Sequence, residues 1–213
     1  MTAAPGLVVA SGSLGFALGA KQPDGRCKYQ ADYEADLRAN CDASGSNIVR
    51  IYGADQCNTA QDILPAAKKD FVVILGILGI CLRGIPTHSN SDGKEARHGQ
   101  VLWAAILRRT PGYEGQVYAV IVGSESLYRG IAAISPAWSR CLDFKIGTAD
   151  SWNKYQDGTA DAVIEQADVL LANAFSYWQG QTRDNATACF FESTMQAFGR
   201  IQRVSGSTNK PEV

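Results

Sequence analysis

Histidine is nearly absent. His88 and His98 are the only two in 213 residues, and neither follows a predicted strand end, so a Ser–His or Cys–His nucleophile has little to be built from. The six cysteines, Cys27, Cys41, Cys57, Cys81, Cys141 and Cys189, include no C-x-x-C pair. No histidine stands at ligand spacing to them, so no metal site is expected. Their even number permits disulfides without requiring them. Neither G-x-G-x-x-G nor G-x-x-x-x-G-K-[ST] occurs, which removes the usual phosphate cradles. Charge of one sign is also missing. Lys and Arg number 20 against 21 Asp and Glu, with no basic stripe interleaved with aromatics, so nucleic acid is not an expected partner. The longest apolar run, Phe71 to Leu82, is too short to span a bilayer. The opening MTAAPGLVVASGS lacks a basic n-region and a long apolar h-region, so a secretory leader reads as absent or already removed.

What is present is an ordinary globular composition, 46% apolar and 19% charged, read as one domain over residues 1–213. Strand candidates are Leu14–Leu18, Ile48–Tyr52, Phe71–Ile77, Val117–Val122, Phe144–Thr148 and Val169–Ala174. Helical stretches lie between them. Tyr33, Leu37 and Cys41 share one helical face. A second helix is expected to open at Asn58, with Gln61 completing a capping box. It turns Ile63, Leu64 and Ala67 inward, and Pro65 either kinks it or marks its true start. The last helix, from about Thr187 to Val204, places Phe191, Met195, Phe198 and Ile201 on one predicted core face. Repeated β-α units imply a parallel sheet with right-handed crossovers. A doubly wound sheet would want a glycine-rich phosphate loop after its first strand, and Leu18-Gly19-Ala20-Lys21 does not supply one. A (β/α)8 barrel keeps its chemistry at the C-terminal ends of its strands, where Tyr52, Ser124, Glu125, Asp150, Asn173 and Tyr177 collect. The expected fold is therefore an α/β chain forming an incomplete (β/α)8 TIM barrel, with about six of its eight β/α units.

The segment QVYAVIVGSESLYRG, residues 116–130, reads as a buried parallel strand that delivers Glu125 at its end. Such a carboxyl can serve as general acid/base if its surroundings allow. It can equally be half of a structural ion pair with Arg129 or Arg50. The aromatics Tyr52, Tyr128, Trp152, Tyr177 and Trp178 stand near predicted strand ends and offer flat faces suited to a sugar ring. Glu192 and Asp161 fall on predicted helices and read as solvated faces, and Glu212 reads as a strand-edge residue. An aldolase-like barrel would want a lysine at a strand end, but Lys145 lies inside the fifth strand.

Longer blocks carry a resemblance: YEADLRANCDASGSNIVRIY, CNTAQDILPAAK, GQVYAVIVGSESLYRG, KIGTADSWNKYQDGTADAVI and NAFSYWQGQTRDNATA. Together they resemble the fungal branch of glycoside hydrolase family 17, the cell-wall 1,3-β-glucanases and glucanosyltransferases. The resemblance implies a (β/α)8 barrel acting on β-1,3-glucan by a retaining mechanism, secreted to the cell wall and using no cofactor. Carried over residue by residue, Glu125 matches the acid/base. Tyr52, Asn173 and Tyr177 match cleft positions, and Asp150 and Trp152 are further substrate-binding candidates. Cys27 and Cys57 are the disulfide candidate, the other four cysteines reading as free thiols. Asn185 heads an N-x-T sequon and is the glycosylation candidate. Oligomeric state is not readable.

The sequence also departs from the family. The second carboxylate of a retaining pair belongs, by resemblance, to a V-G-E-T-G-W-P block that comes after a stretch like KPEV. The sequence given ends at Val213, so the nucleophile is not in it and the chain is expected to be truncated and inactive or impaired. The alternative function is a non-catalytic glucan-binding protein of the cell-wall surface. Residues 78–111 diverge, carrying Arg83, Lys94, Arg97, Arg108 and Arg109 against Asp92 and Glu95, a balance of +3. They read either as a basic loop for an anionic partner or, preferred here, as frame-shifted coding sequence. A second divergent piece, residues 131–143, is shorter than the helical segment of the family.

Overall fold

The structure, a computed structural model, describes residues 15–68, 70–77, 110–128 and 145–207, with the backbone of 211–212. Most of the divergent stretch 78–111, all of 131–143, both histidines, Cys81, Cys141 and Arg129 lie outside the described residues.

Seven strands are described: β1 (Gly15–Leu18), β2 (Ile48–Ile51), β3 (Val72–Ile77), β4 (Val117–Ser124), β5 (Lys145–Ser151), β6 (Val169–Asn173) and the two-residue β7 (Pro211–Glu212). They lie in one sheet in simple sequential order, β1 to β7, and every neighbouring pair is parallel. A doubly wound sheet reverses its strand order at a switch point, and this order never reverses. Sequential parallel strands with connecting helices are the arrangement of an open arc of a (β/α)8 barrel, as the sequence leads one to expect. The seventh strand is the addition: Pro211 and Glu212 pair with Leu170 and Leu171 of β6.

Side-chain alternation gives the sheet two apolar faces, which is why the strands read as continuous apolar runs. On one face Val49, Ile51, Val73, Leu75 and Ile77 pack with Tyr33 and Leu37 of α1 (Gln30–Ser44) and Ile63 and Leu64 of α2 (Thr59–Ala67). Further along the sheet, Leu170 and Ala172 pack with residues of three more helices, α3 (Trp152–Gln156), α4 (Asp161–Gln166) and α5 (Arg183–Ser205). The alternate residues Ile74, Ala119, Ile121, Ala149, Val169 and Leu171 form a separate core on the opposite, inner face. Gly147 is a glycine for a packing reason, since a Cβ there would run into the carbonyl of Val169 on β6.

Several local expectations differ, in whole or in part, from what is seen. Asn58 does not cap α2 with its side chain. Cys57 and Asn58 both adopt left-handed backbone, each with φ of 55°, and the turn is held instead by Thr59 Oγ1 donating to the Gln56 carbonyl at 2.6 Å. Pro65 lies inside α2, which continues past it to Ala67. The inward face of α5 is Cys189, Ser193, Thr194, Ala197 and Ile201, while Phe191 and Met195 are 60% and 64% exposed. Ile201 is buried and Phe198 packs against the same core, as expected, while the small Ser193, Thr194 and Ala197 take inward positions in place of Phe191 and Met195. Asp161 also differs from the solvated face expected of it, because its carboxylate pairs with the Arg200 guanidinium.

Candidate active site

The site is built at the C-terminal ends of β4, β5 and β6, and its geometry begins with a bulge. Ala119, Val120 and Ile121 of β4 pair in register with Lys145, Ile146 and Gly147, but the next pair is Ser124 with Ala149. Three steps along β4 thus oppose two along β5. A bulge of this kind turns the strand and re-aims the residues beyond it. Gly123 takes φ of 77° within the bulge, and a Cβ there would collide with the Ser126 hydroxyl. Glu125 comes two residues later with φ of 55°, and its N–H donates to the Ala149 carbonyl at 2.8 Å. The strand end is held to β5 while the Glu125 side chain turns toward β6, where Asn173 Nδ2 donates to Glu125 Oε1 at 3.4 Å. Asn173 is the last residue of β6 and pairs with Ser151 on β5.

Glu125 and Asn173 share a cavity of about 470 Å³. Tyr128, Ser151, Trp152, Asn153, Phe175, Trp178 and Gln179 complete its lining. Of the residues singled out from the sequence, Glu125, Asn173 and Trp152 are therefore brought together, with the nearby aromatics Tyr128 and Trp178. Phe175, Gln179, Ser151 and Asn153 were not singled out. The strand-end rule that drew attention to Asn173 and Tyr177 could have reached Phe175 and Gln179 in the same loop.

Tyr177 and Tyr52 lie outside this lining. Tyr177 is 80% exposed and meets the Trp178 ring edge-on, with centroids 5.0 Å apart. Tyr52 comes directly after β2, and its ring sits 4.6 Å from the Arg50 guanidinium. Arg50 is held below the usual arginine range by burial, partly offset by Tyr52 and Tyr155, and its Nε has no partner among the described residues. The ion pair between Glu125 and Arg50 considered from the sequence is not among the described salt bridges.

Asp150, a further substrate-binding candidate from the sequence, is not part of the cavity lining. Its side chain is fully buried and binds backbone rather than facing the cavity. Oδ2 accepts from Leu127 N–H at 2.7 Å, and Oδ1 accepts from Tyr128 N–H at 3.2 Å and Ser151 N–H at 2.8 Å. Burial pushes its carboxyl above the ordinary range; the three backbone hydrogen bonds work against that rise, and the nearby Glu125 adds to it. Outside the cleft, Cys27 and Cys57 are joined by a disulfide, Cys41 and Cys189 are free thiols, and Asn185 is exposed in the first turn of α5.

A strand-end carboxyl beside an amide in an aromatic-walled cavity is the chemistry of a glycoside site, and comparison with known proteins bears on it directly. The BtgE/BtgC glycoside hydrolase domain matches residues 15–210. The chain belongs to this glycoside hydrolase family. Among relatives, a glucan 1,3-beta-glucosidase of Arthroderma benhamiae is 41% identical over 222 residues, covering 100% of this chain and 67% of the relative. One from Saccharomyces cerevisiae is 38% identical, covering 95% of this chain and 66% of the relative. The chain thus spans about two-thirds of the length of these relatives. The glycoside hydrolase family 17 beta-1,3-glucanosyltransferase from Rhizomucor miehei superposes with a TM-score of 0.64 at 22% identity, over 92% of this chain and 68% of that one. At that identity the likeness concerns the fold, and it agrees with an arc of a (β/α)8 barrel. Among the described residues of this family member, no helix is long and apolar enough to cross a membrane.

Proposed function

We propose that this glycoside hydrolase acts on β-1,3-glucan by a retaining route, with Glu125 as the proton donor. The observation that carries the reading is the placement of Glu125: a bulged strand end aims it at Asn173 inside an aromatic-walled cavity. Trp152, Phe175, Tyr128 and Trp178 provide flat faces for pyranose rings, and Asn173, Ser151 and Gln179 provide hydroxyl partners. Protonated Glu125 gives its proton to the glycosidic oxygen as the bond to the anomeric carbon breaks; the resulting carboxylate then takes a proton from the incoming water or sugar hydroxyl. That the relatives are glucan 1,3-beta-glucosidases supports β-1,3-glucan as the substrate class.

A retaining pair needs a second carboxylate about 5 Å away as nucleophile. Asp150 does not fill that role, because both its oxygens are engaged and it is buried. On this reading the nucleophile is the carboxylate of the V-G-E-T-G-W-P block that the family resemblance places after KPEV. The Cys27–Cys57 disulfide supports work in an oxidising compartment such as the cell wall.

The test compares wild type with Glu125→Gln on laminarin, in a chain that continues through the second carboxylate. Loss of sugar release by about 100-fold or more, with binding retained, supports the enzyme. Binding without turnover, indifferent to Glu125→Gln, supports the alternative of a non-catalytic glucan-binding protein.

A further inference from the structure

Burying a carboxylate is costly, and natural proteins keep one where its position matters. Asp150 is fully buried, and among the described residues no Lys or Arg forms a salt bridge with it. Its charge is answered by three backbone N–H groups, two of which, Leu127 and Tyr128, belong to the turn just after Glu125. The residue before it, Ala149, accepts the N–H of Glu125 itself. The end of β5 therefore grips the exit of β4 at three amides within four residues. Between the first and second of these grips the chain must hold Glu125 at φ of 55°, a conformation that side chains adopt only when their surroundings impose it.

We propose that Asp150 is the positioning residue for Glu125: its carboxylate clamps the 125–128 turn so that the Glu125 carboxyl stays aimed at Asn173. The clamp deepens the reading of Glu125 as proton donor and rests on it. An aspartate is required because both oxygens must accept. In Asp150→Asn the amide keeps one accepting oxygen and turns an N–H toward Leu127 N–H or toward the pair from Tyr128 and Ser151, so at least one grip is lost with almost no change in shape.

Two measurements decide it. Amide exchange in the chain tests the clamp without reference to catalysis. In Asp150→Asn the amides of Leu127 and Tyr128 should exchange about tenfold faster or more, while those of β2 and β3 hold their wild-type rates. Unchanged exchange at 127 and 128 overturns the clamp, and uniform acceleration throughout the sheet reduces Asp150 to a general stabilising role and overturns it as well. The role is tested by laminarin turnover in a chain that carries the second carboxylate. Asp150→Asn should lower kcat on the order of 100-fold with KM within about twofold. Placed on a Glu125→Gln background it should cost little more, since a positioning residue has nothing left to position. A full further loss on that background overturns the proposal. If Glu125→Gln alone leaves turnover intact, the proton-donor reading falls and this role falls with it, whatever the exchange rates show.

Discussion

Glu125 holds a left-handed backbone conformation close to Gly123, which is left-handed too, and that pair of residues converts a buried strand into a presented carboxyl. Around it, the residues differ in what their loss should do. Trp178 is 80% exposed yet lines the cavity, so it contributes little to the core. Trp178→Ala should leave the thermal midpoint nearly unchanged and weaken laminari-oligosaccharide binding by ~1–2 kcal/mol, the area of one ring face covered by a sugar. Intrinsic fluorescence titration or calorimetry reads that loss directly, and an unchanged affinity would remove Trp178 from the site. Asp150 gives the pH dependence. Burial raises its folded-state pKa above the unfolded value, so the folded state binds the proton more tightly. The stability this group contributes is fully present below the ordinary carboxylate pKa and is lost as pH rises through the raised folded value. Midpoints measured across that window should show this component in wild type and lack it in Asp150→Asn.

At the scale of elements, the strands were legible because burial on both faces leaves apolar runs that few other structures explain. The ends of β4 and β5 were less so. Both run past their predicted limits, to Ser124 and Ser151, because polar residues at a strand end are chosen by the site rather than by the core. The bulge before Glu125 could not be read, since it depends on how two strands pair. The capping of α2 failed at Asn58 for a related reason. The neighbouring Cys57 is bonded to Cys27, and the left-handed turn at 57–58 leaves the Asn58 side chain making no cap. On α5 the large residues Phe191 and Met195 drew the eye away from Ser193, Thr194 and Ala197, whose small size lets the helix approach its neighbours. Two predictions belong here. Gly147→Ala should cost about 3 kcal/mol, because the added methyl meets the Val169 backbone, which cannot swing aside as a side chain could; denaturant titration measures it. Reducing the Cys27–Cys57 bond, which closes a separation of 30 residues, should remove about 3 kcal/mol by freeing the unfolded chain. Urea midpoints with and without reductant measure that.

Over the whole molecule, the sequential parallel order of the strands puts every strand end on one rim. Residues far apart in sequence, Glu125, Trp152, Asn173 and Trp178, therefore meet in one cavity. That convergence was legible as soon as the barrel was chosen over the doubly wound sheet, and it made strand-end position a guide to function. Membership of the glycoside hydrolase family and the cavity chemistry then point to the same bond. On the proposed reading, Glu125 donates the proton to the departing glycosidic oxygen. That step is tested most directly by cleavage rates on a series of aryl β-glucosides of graded leaving-group acidity, in a chain carrying the second carboxylate. With Glu125 intact the rate should depend weakly on the leaving group. In Glu125→Gln, kcat/KM, which reports the bond-breaking step alone, should fall by about 100-fold or more for the poorest leaving groups and be nearly spared for the most acidic. An equal loss of kcat/KM across the whole series, or none, would remove Glu125 as the proton donor.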